Sequence, residues 1–170
     1  NMSTKKLLLL DKKQIQQKID RISYQILEDN LGEKELIIAG IFEKGYALAK
    51  RLQKKLKNIS TLQITLMKVA IDKESSHLKA NTDIPLSETT NKVIVLVDDV
   101  LNTGRTMAYG LGLFLNIPLK KLRTIVLVDR NHRIFPISPN FTGLELATVL
   151  QEHIEVILDE KDEEDAVYLS

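Results

Sequence analysis

The alternation of apolar and polar positions divides this chain into helical stripes and short apolar runs. Ile15, Ile19, Ile22 and Ile26 recur at helical spacing, so one face of a helix is apolar. Asp11 stands ahead of them with Gln14 three residues on, the pattern of a reciprocal helix cap, and Gly32 is the expected stop. "ELIIAGIF" (35–42) predicts a buried strand. After Gly45, Leu48, Leu52 and Leu56 mark a second helix to about Asn58. "TLQITLM" (61–67) alternates as a strand does. Residues 68–91 are polar without a period and predict a long loop or a hairpin flap, a length that often belongs to a lid. "KVIVLVDD" (92–99) is short, apolar and β-branched, as a central parallel strand is. A helix follows from about Gly104, with Met107, Leu111 and Phe114 inward, and ends before Pro118. "LRTIVLVD" (122–129) is a second central strand. Residues 130–150 read as irregular, "HIEVIL" (153–158) as a last strand, and "DEKDEED" (159–165) as a solvated turn. Strands and helices in this series predict one α/β domain over residues 1–170, with a largely parallel sheet.

Composition narrows the function classes. The 170 residues suit a single core. The 24 Lys+Arg nearly balance the 23 Asp+Glu, and a net charge of +1 gives no global reason for nucleic-acid or membrane binding. Without cysteine there are no disulfides, thiolate metal sites or cysteine nucleophiles. "LLLL" (7–10) is too short for a signal or a span, so the chain is expected to be a soluble, cytoplasmic protein. His77 and His153 have no partner at a metal-ligand spacing.

Candidate chemistry concentrates in "VIVLVDDVLNTGRT" (93–106). In an open parallel sheet, ligands bind at the carboxyl ends of the strands, where Asp98 and Asp99 fall. In the turn Asn102-Thr103-Gly104-Arg105-Thr106, glycine allows backbone to approach an anion, hydroxyls donate to it, and the helix start adds N–H groups with a favourable dipole. A phosphate fits at 103–106. Two acids beside a phosphate make sense when they face sugar hydroxyls or a bound Mg²⁺. The segment is not a nucleotide P-loop, because no Gly-x-x-x-x-Gly-Lys is present.

This stretch resembles the phosphoribosyl-pyrophosphate motif of the type I phosphoribosyltransferases. "LLLLDKKQIQQKIDRISYQILEDN", "IIAGIFEKGYALAKRL", "VLVDRNHRIFPI" and "EDAVYLS" are similar to one branch, the pyrimidine operon attenuation regulators that are also uracil phosphoribosyltransferases. The likeness covers nearly the whole chain and weakens across 66–80 and 138–160. It implies a mainly parallel sheet flanked by helices, a flexible flap and a small base-binding hood. It also implies that Asp98 and Asp99 hold the ribose 2′ and 3′ hydroxyls while Thr103 to Thr106 wrap the 5′-phosphate. The pyrophosphate loop falls at Phe42-Glu43-Lys44-Gly45, where the branch has Lys-Thr-Arg-Gly. Lys44 keeps the charge of the arginine without its fork, and Glu43 sets an acid beside a polyanion. The flap's Tyr-Arg-Asp-Asp corresponds to Met67-Lys68-Val69-Ala70, with Lys73, His77 and Lys79 as substitutes for the lost charges. Asn102 stands where purine enzymes carry aspartate and this branch an aromatic residue.

"VDRNHRIFP" (128–136) resembles the base-side segment, giving Asp129, Arg130, His132 and Arg133, with Asn131 in place of glycine. Asp129 either points into the crevice or pairs with Arg133. Gly143-Leu144-Glu145 replaces a usual Gly-Lys-Asn. The resemblance further implies Mg²⁺ held mainly by substrate and water, with phosphoribosyl pyrophosphate and uracil as substrates and UMP as product. It implies a homo-oligomer, dimer or higher. Two other readings stand beside the enzyme. One is an RNA-binding regulator of pyrimidine genes, for which "KRLQKKLK" (50–57), Lys12, Lys13, Lys18 and Arg21 supply basic residues offset by the acidic second half. The other is a weakly active nucleotide-binding relative.

Overall fold

A computed structural model describes residues 5–72, 79–149, 151–161 and 163–170. Lys73 and His77 lie outside the described residues. The chain opens with β1 (Leu7–Leu10) and α1 (Lys12–Asp29), then β2 (Glu35–Ile41), α2 (Lys44–Ile59) and β3 (Gln63–Asp72). After β4 (Lys79–Thr82) come β5 (Val93–Leu101), α3 (Arg105–Gly112) and β6 (Lys121–Asp129). The last strands are β7 (Phe141–Glu145), β8 (Ile154–Ile157) and β9 (Ala166–Leu169).

Six strands form the main sheet in the order β4-β3-β2-β5-β6-β7. All its pairings are parallel except β3 with β4. Successive strand side chains point to opposite faces, and the apolar runs supply both. Ile38, Val95, Val97, Ile125 and Leu127 pack beneath the α1 and α2 stripes (Ile15, Ile19, Ile22, Ile26; Leu48, Leu52, Leu56). Their neighbours Ile37, Ala39, Ile94, Leu96 and Val126 face Met107 and Phe114 on the other side. A strand covered on both faces has no polar positions, hence the continuous apolar runs.

A smaller antiparallel sheet, β1-β9-β8, forms the hood. Leu10, Val156 and Val167 join the core under α1 and α2, so the hood is continuous with the main domain. Arg51 on α2 reaches Asp165 through two bonds, Nη1–Oδ2 at 2.6 Å and Nη2–Oδ1 at 2.9 Å. That carboxylate is only 3% exposed.

Four expectations are corrected in part. The 130–150 stretch is not wholly irregular, because Phe141–Glu145 adds a parallel edge strand to β6. Arg21 of α1 donates to the Thr142 and Gly143 carbonyls and holds that strand, a long-range anchor that no local pattern signals. Within 68–91, β3 runs on to Asp72 and pairs with β4, which is the hairpin alternative. Met67 and Val69 are fully buried in the sheet, so this stretch begins as core and only later leaves it. The acidic turn is not all solvated, since Asp165 is the buried partner of Arg51. Finally, α1 ends at Asp29 with Asn30 as its cap, ahead of Gly32.

Candidate active site

Two turns meet at the carboxyl ends of the central strands. The first joins β2 to α2 through Phe42 and Glu43, whose peptide bond is cis. Helix α2 begins hard against the sheet: a Cβ on Gly45 would lie 2.6 Å from the Val97 carbonyl oxygen. Only glycine permits that approach, which brings Lys44 beside the end of β5. The second turn joins β5 to α3. Gly104 has φ +88°, a left-handed conformation that costs an ordinary residue energy. It turns the chain so that α3 starts directly over the strand end.

Between these turns lies a cavity of about 370 Å³. Phe42, Glu43 and Lys44 line one side, and Asp98, Asp99, Asn102, Thr103, Gly104 and Thr106 the other. Asp98 and Asp99 are half-buried, and Oδ1 of Asp98 accepts from the Asp99 N–H at 2.9 Å. Neither α2 nor α3 has a side-chain cap on its first turn. The nearest substitute is Thr103, whose Oγ1 accepts from the Arg105 N–H at 3.3 Å. Uncapped helix starts carry unsatisfied N–H groups and partial positive charge, which suit an anion. The cavity therefore offers two carboxylates for hydroxyl groups and, beside them, donors for a phosphate.

A second cavity of about 580 Å³ lies across the same loop. Phe42, Glu43 and Lys44 form its wall too, with Tyr46, Lys50 and Lys68. The ammonium groups of Lys68 and Lys50 lie 5.0 Å and 5.5 Å from the Tyr46 ring centre. Lys68 thus keeps a positive charge next to Lys44, although it sits on a sheet strand.

The base-side residues take another place. Asp129, Arg130, His132 and Arg133 do not line the first cavity. Asp129, 3% exposed, pairs with Arg133 at 2.5 Å and accepts from the Asn131 N–H, where φ is +61°. Arg133 also donates to the Ile137 carbonyl at 2.6 Å. Arg130, 8% exposed, donates to Thr148 Oγ1, Asn102 Oδ1 and the carbonyls of Val149 and Glu152. His132 contacts the Thr148 carbonyl. Of the four, Arg130 and Arg133 reach the cavity-lining Asn102, at its side-chain oxygen and at its carbonyl. Arg105 is exposed and Gly45 buried, and neither lines it.

Ile41, Val100, Leu101, Met107 and Ile154 also line the cavity, at positions to which the sequence assigned no chemistry. Ile41 is the last residue of β2, and Ile154 enters from the hood. Ile154 falls in the strand expected at 153–158, whose pairing with β9 sets it in the hood beside the cavity.

A parallel sheet with two acids at a strand end, an open helix start beside them and a small antiparallel hood places the cavity where proteins of the open α/β class bind their ligands. The family model for the phosphoribosyl transferase domain matches residues 8–164, and this chain belongs to that family. It is 35% identical to the bifunctional protein PyrR of Limosilactobacillus reuteri, over 91% of this chain and 92% of that protein. The bifunctional protein PyrR of Fusobacterium nucleatum is 36% identical and aligns over 99% of both chains. Among solved structures, a Bacillus anthracis hypoxanthine-guanine phosphoribosyltransferase superposes with a TM-score of 0.76 at 19% identity, covering 98% of this chain and 100% of that one. A Trypanosoma cruzi hypoxanthine phosphoribosyl transferase gives 0.79 at 18%, covering 96% and 91%. At such identities the structures speak for the fold.

Proposed function

We propose that this chain transfers the 5-phosphoribosyl group from phosphoribosyl pyrophosphate to uracil, giving UMP and pyrophosphate. The observation that carries the reading is the meeting of Asp98, Asp99 and the open start of α3 in one cavity. Asp98 and Asp99 accept hydrogen bonds from the ribose 2′ and 3′ hydroxyls. Thr103, Gly104, Arg105 and Thr106 wrap the 5′-phosphate with backbone N–H groups and hydroxyls. Lys44, on the facing wall, balances charge on the departing pyrophosphate. Glu43 lies beside it and opposes the same polyanion. Lys68, across the loop, offsets that acid.

The transition state of such a transfer resembles an oxocarbenium ion, so positioning and charge compensation do most of the catalytic work. Among the described residues no group of three or more His, Asp or Glu could hold a metal. The half-buried pair Asp98 and Asp99 fits Mg²⁺ that arrives on substrate oxygens and keeps its waters. When bound, Mg²⁺ neutralises the pyrophosphate. Uracil is favoured by the likeness to the bifunctional relatives and by Asn102 in place of a carboxylate. Asp129, Arg130, His132 and Arg133 support the base side from behind. The reading includes a cytoplasmic homo-oligomer. No helix among the described residues is long and apolar enough to cross a membrane.

RNA binding is a second reading, favoured by the name of the relatives and by Lys50, Lys54 and Lys57, which are exposed along α2. The test of the first reading is pyrophosphate release with Mg²⁺, phosphoribosyl pyrophosphate and each candidate base in turn. Turnover with uracil sustains it, and turnover with a purine alone moves the specificity. No turnover with any base, with steeply salt-dependent binding to pyrimidine leader RNA, favours the regulator.

A further inference from the structure

The first cavity has the wrong charge for a bare polyphosphate. Three carboxylates line it, those of Glu43, Asp98 and Asp99, against one ammonium, that of Lys44. Asp98 and Asp99 stand at the end of β5, and Glu43 stands on the facing loop. Glu43 is the unexplained member of the three. It is exposed, and at the start of α2 its side chain makes no cap bond. Among the described residues that side chain has no hydrogen-bond or ion-pair partner. Turning away gives it no escape, because Glu43 also walls the second cavity, on the other side of the loop. There Lys50 lies 3.7 Å from Glu160, and Lys68 sits over the Tyr46 ring at 5.0 Å. Lys68 thus offsets Glu43 only from a distance. A cation is what this carboxylate lacks, and a polyanionic ligand is what brings one.

We propose that the Glu43 carboxylate takes a Mg²⁺ carried in on pyrophosphate, and so makes this loop select the magnesium complex over the bare anion. This rests on the pyrophosphate part of the reading above. Mg²⁺ is commonly bound by one or two carboxylates and completes its shell with phosphate oxygens and water. Glu43 supplies one such carboxylate. The described residues hold no cluster of three acids or histidines, so the ion takes its other positions from the ligand and from water. Lys44, next in the chain, meets phosphate oxygens that the ion leaves uncovered. One side chain then has two opposite effects. Towards bare pyrophosphate it repels, as like charges do. Towards the magnesium complex it attracts. An uncharged side chain in its place does neither.

The test is calorimetry with pyrophosphate on the wild type, Glu43→Gln and Glu43→Ala, once with excess Mg²⁺ and once with EDTA. In EDTA both variants bind pyrophosphate about tenfold more tightly than the wild type, because the repulsion is gone. In Mg²⁺ the order reverses, and the wild type binds about tenfold more tightly than either variant. The unliganded variants melt with the wild type, since Glu43 has no cap bond to lose. A shift of the same sign in both conditions overturns the proposal, because the carboxylate then only repels or only supports the loop. Equal affinities in both conditions overturn it, and so does a wild type that binds no pyrophosphate in Mg²⁺. Turnover of uracil without the reversal sinks this proposal alone and leaves the transfer reading standing. A reversal in a protein that turns over no base keeps the Glu43 site and removes the transfer reading.

Discussion

The first turns of α1 and α3 are opposites. At α1, Asp11 Oδ1 accepts from the Gln14 N–H at 2.8 Å, and Gln14 Oε1 accepts from the Asp11 N–H at 2.9 Å. That start is closed by its own side chains and serves stability. At α3 the capping position is Gly104, which has no side chain to give, and the first turn opens on the cavity. The same four-donor problem of a helix start is solved within the chain in one case and left for a ligand in the other. In the proposed reading, the helix start left open at the carboxyl end of β5 receives the phosphate.

The largest break of this contrast comes from the acids beside the open start. Asp98→Asn with Asp99→Asn removes the charge on two acceptors, and sugar-phosphate binding falls by about a hundredfold or more. Calorimetry with phosphoribosyl pyrophosphate and Mg²⁺ reads that loss, and a near wild-type melting curve shows the fold intact. Gly104→Ala places a Cβ at positive φ and 3.1 Å from the Phe135 carbonyl oxygen. It lowers stability by about 1–2 kcal/mol and weakens ligand binding as well, both followed in one denaturation series with and without UMP. Asp11→Ala opens the closed start. It costs about 1 kcal/mol in urea unfolding and leaves ligand affinity where it was.

The smallest effect belongs to Asp29, at the far end of α1. Partial burial pushes its carboxyl up, but hydrogen bonds and charge from Arg123 and Lys121 outweigh that and hold it below the usual range. Its folded pKa is depressed, so its contribution is present above the unfolded pKa of about 3.9 and is lost as pH falls through the folded value. Asp29→Asn therefore costs about 0.5 kcal/mol at neutral pH and nothing in strong acid, which pH-dependent melting resolves.

Local chemistry made much of this molecule legible. The Asp11–Gln14 pair announced α1, and "VIVLVDD" followed by Thr-Gly announced the strand, the turn and the open helix start. These signals lie within a few residues of one another. What escaped was held by distant partners. "FTGLE" became a strand because Arg21 and β6 receive it. Asp165 reads as one more exposed acid until Arg51, far back in α2, covers it. Asp129 had two readings open, crevice or ion pair with Arg133, and the pair is what forms. Arg130 gave no sign that it would fix the amide of Asn102 from 28 residues away.

The order of strands in the hood bears on time as well as space. Its middle strand is β9, and β1 pairs with nothing else in that sheet. As the chain is synthesised, β1 emerges early and waits for Ala166–Leu169 before it has a partner. The main sheet, with its acids and the Gly104 turn, is complete in sequence by Glu145. A chain stopped between those points would carry the Gly104 turn on an unroofed floor, without the wall that Ile154 supplies. The acids and the open helix start are in place first, and the wall from the hood arrives last.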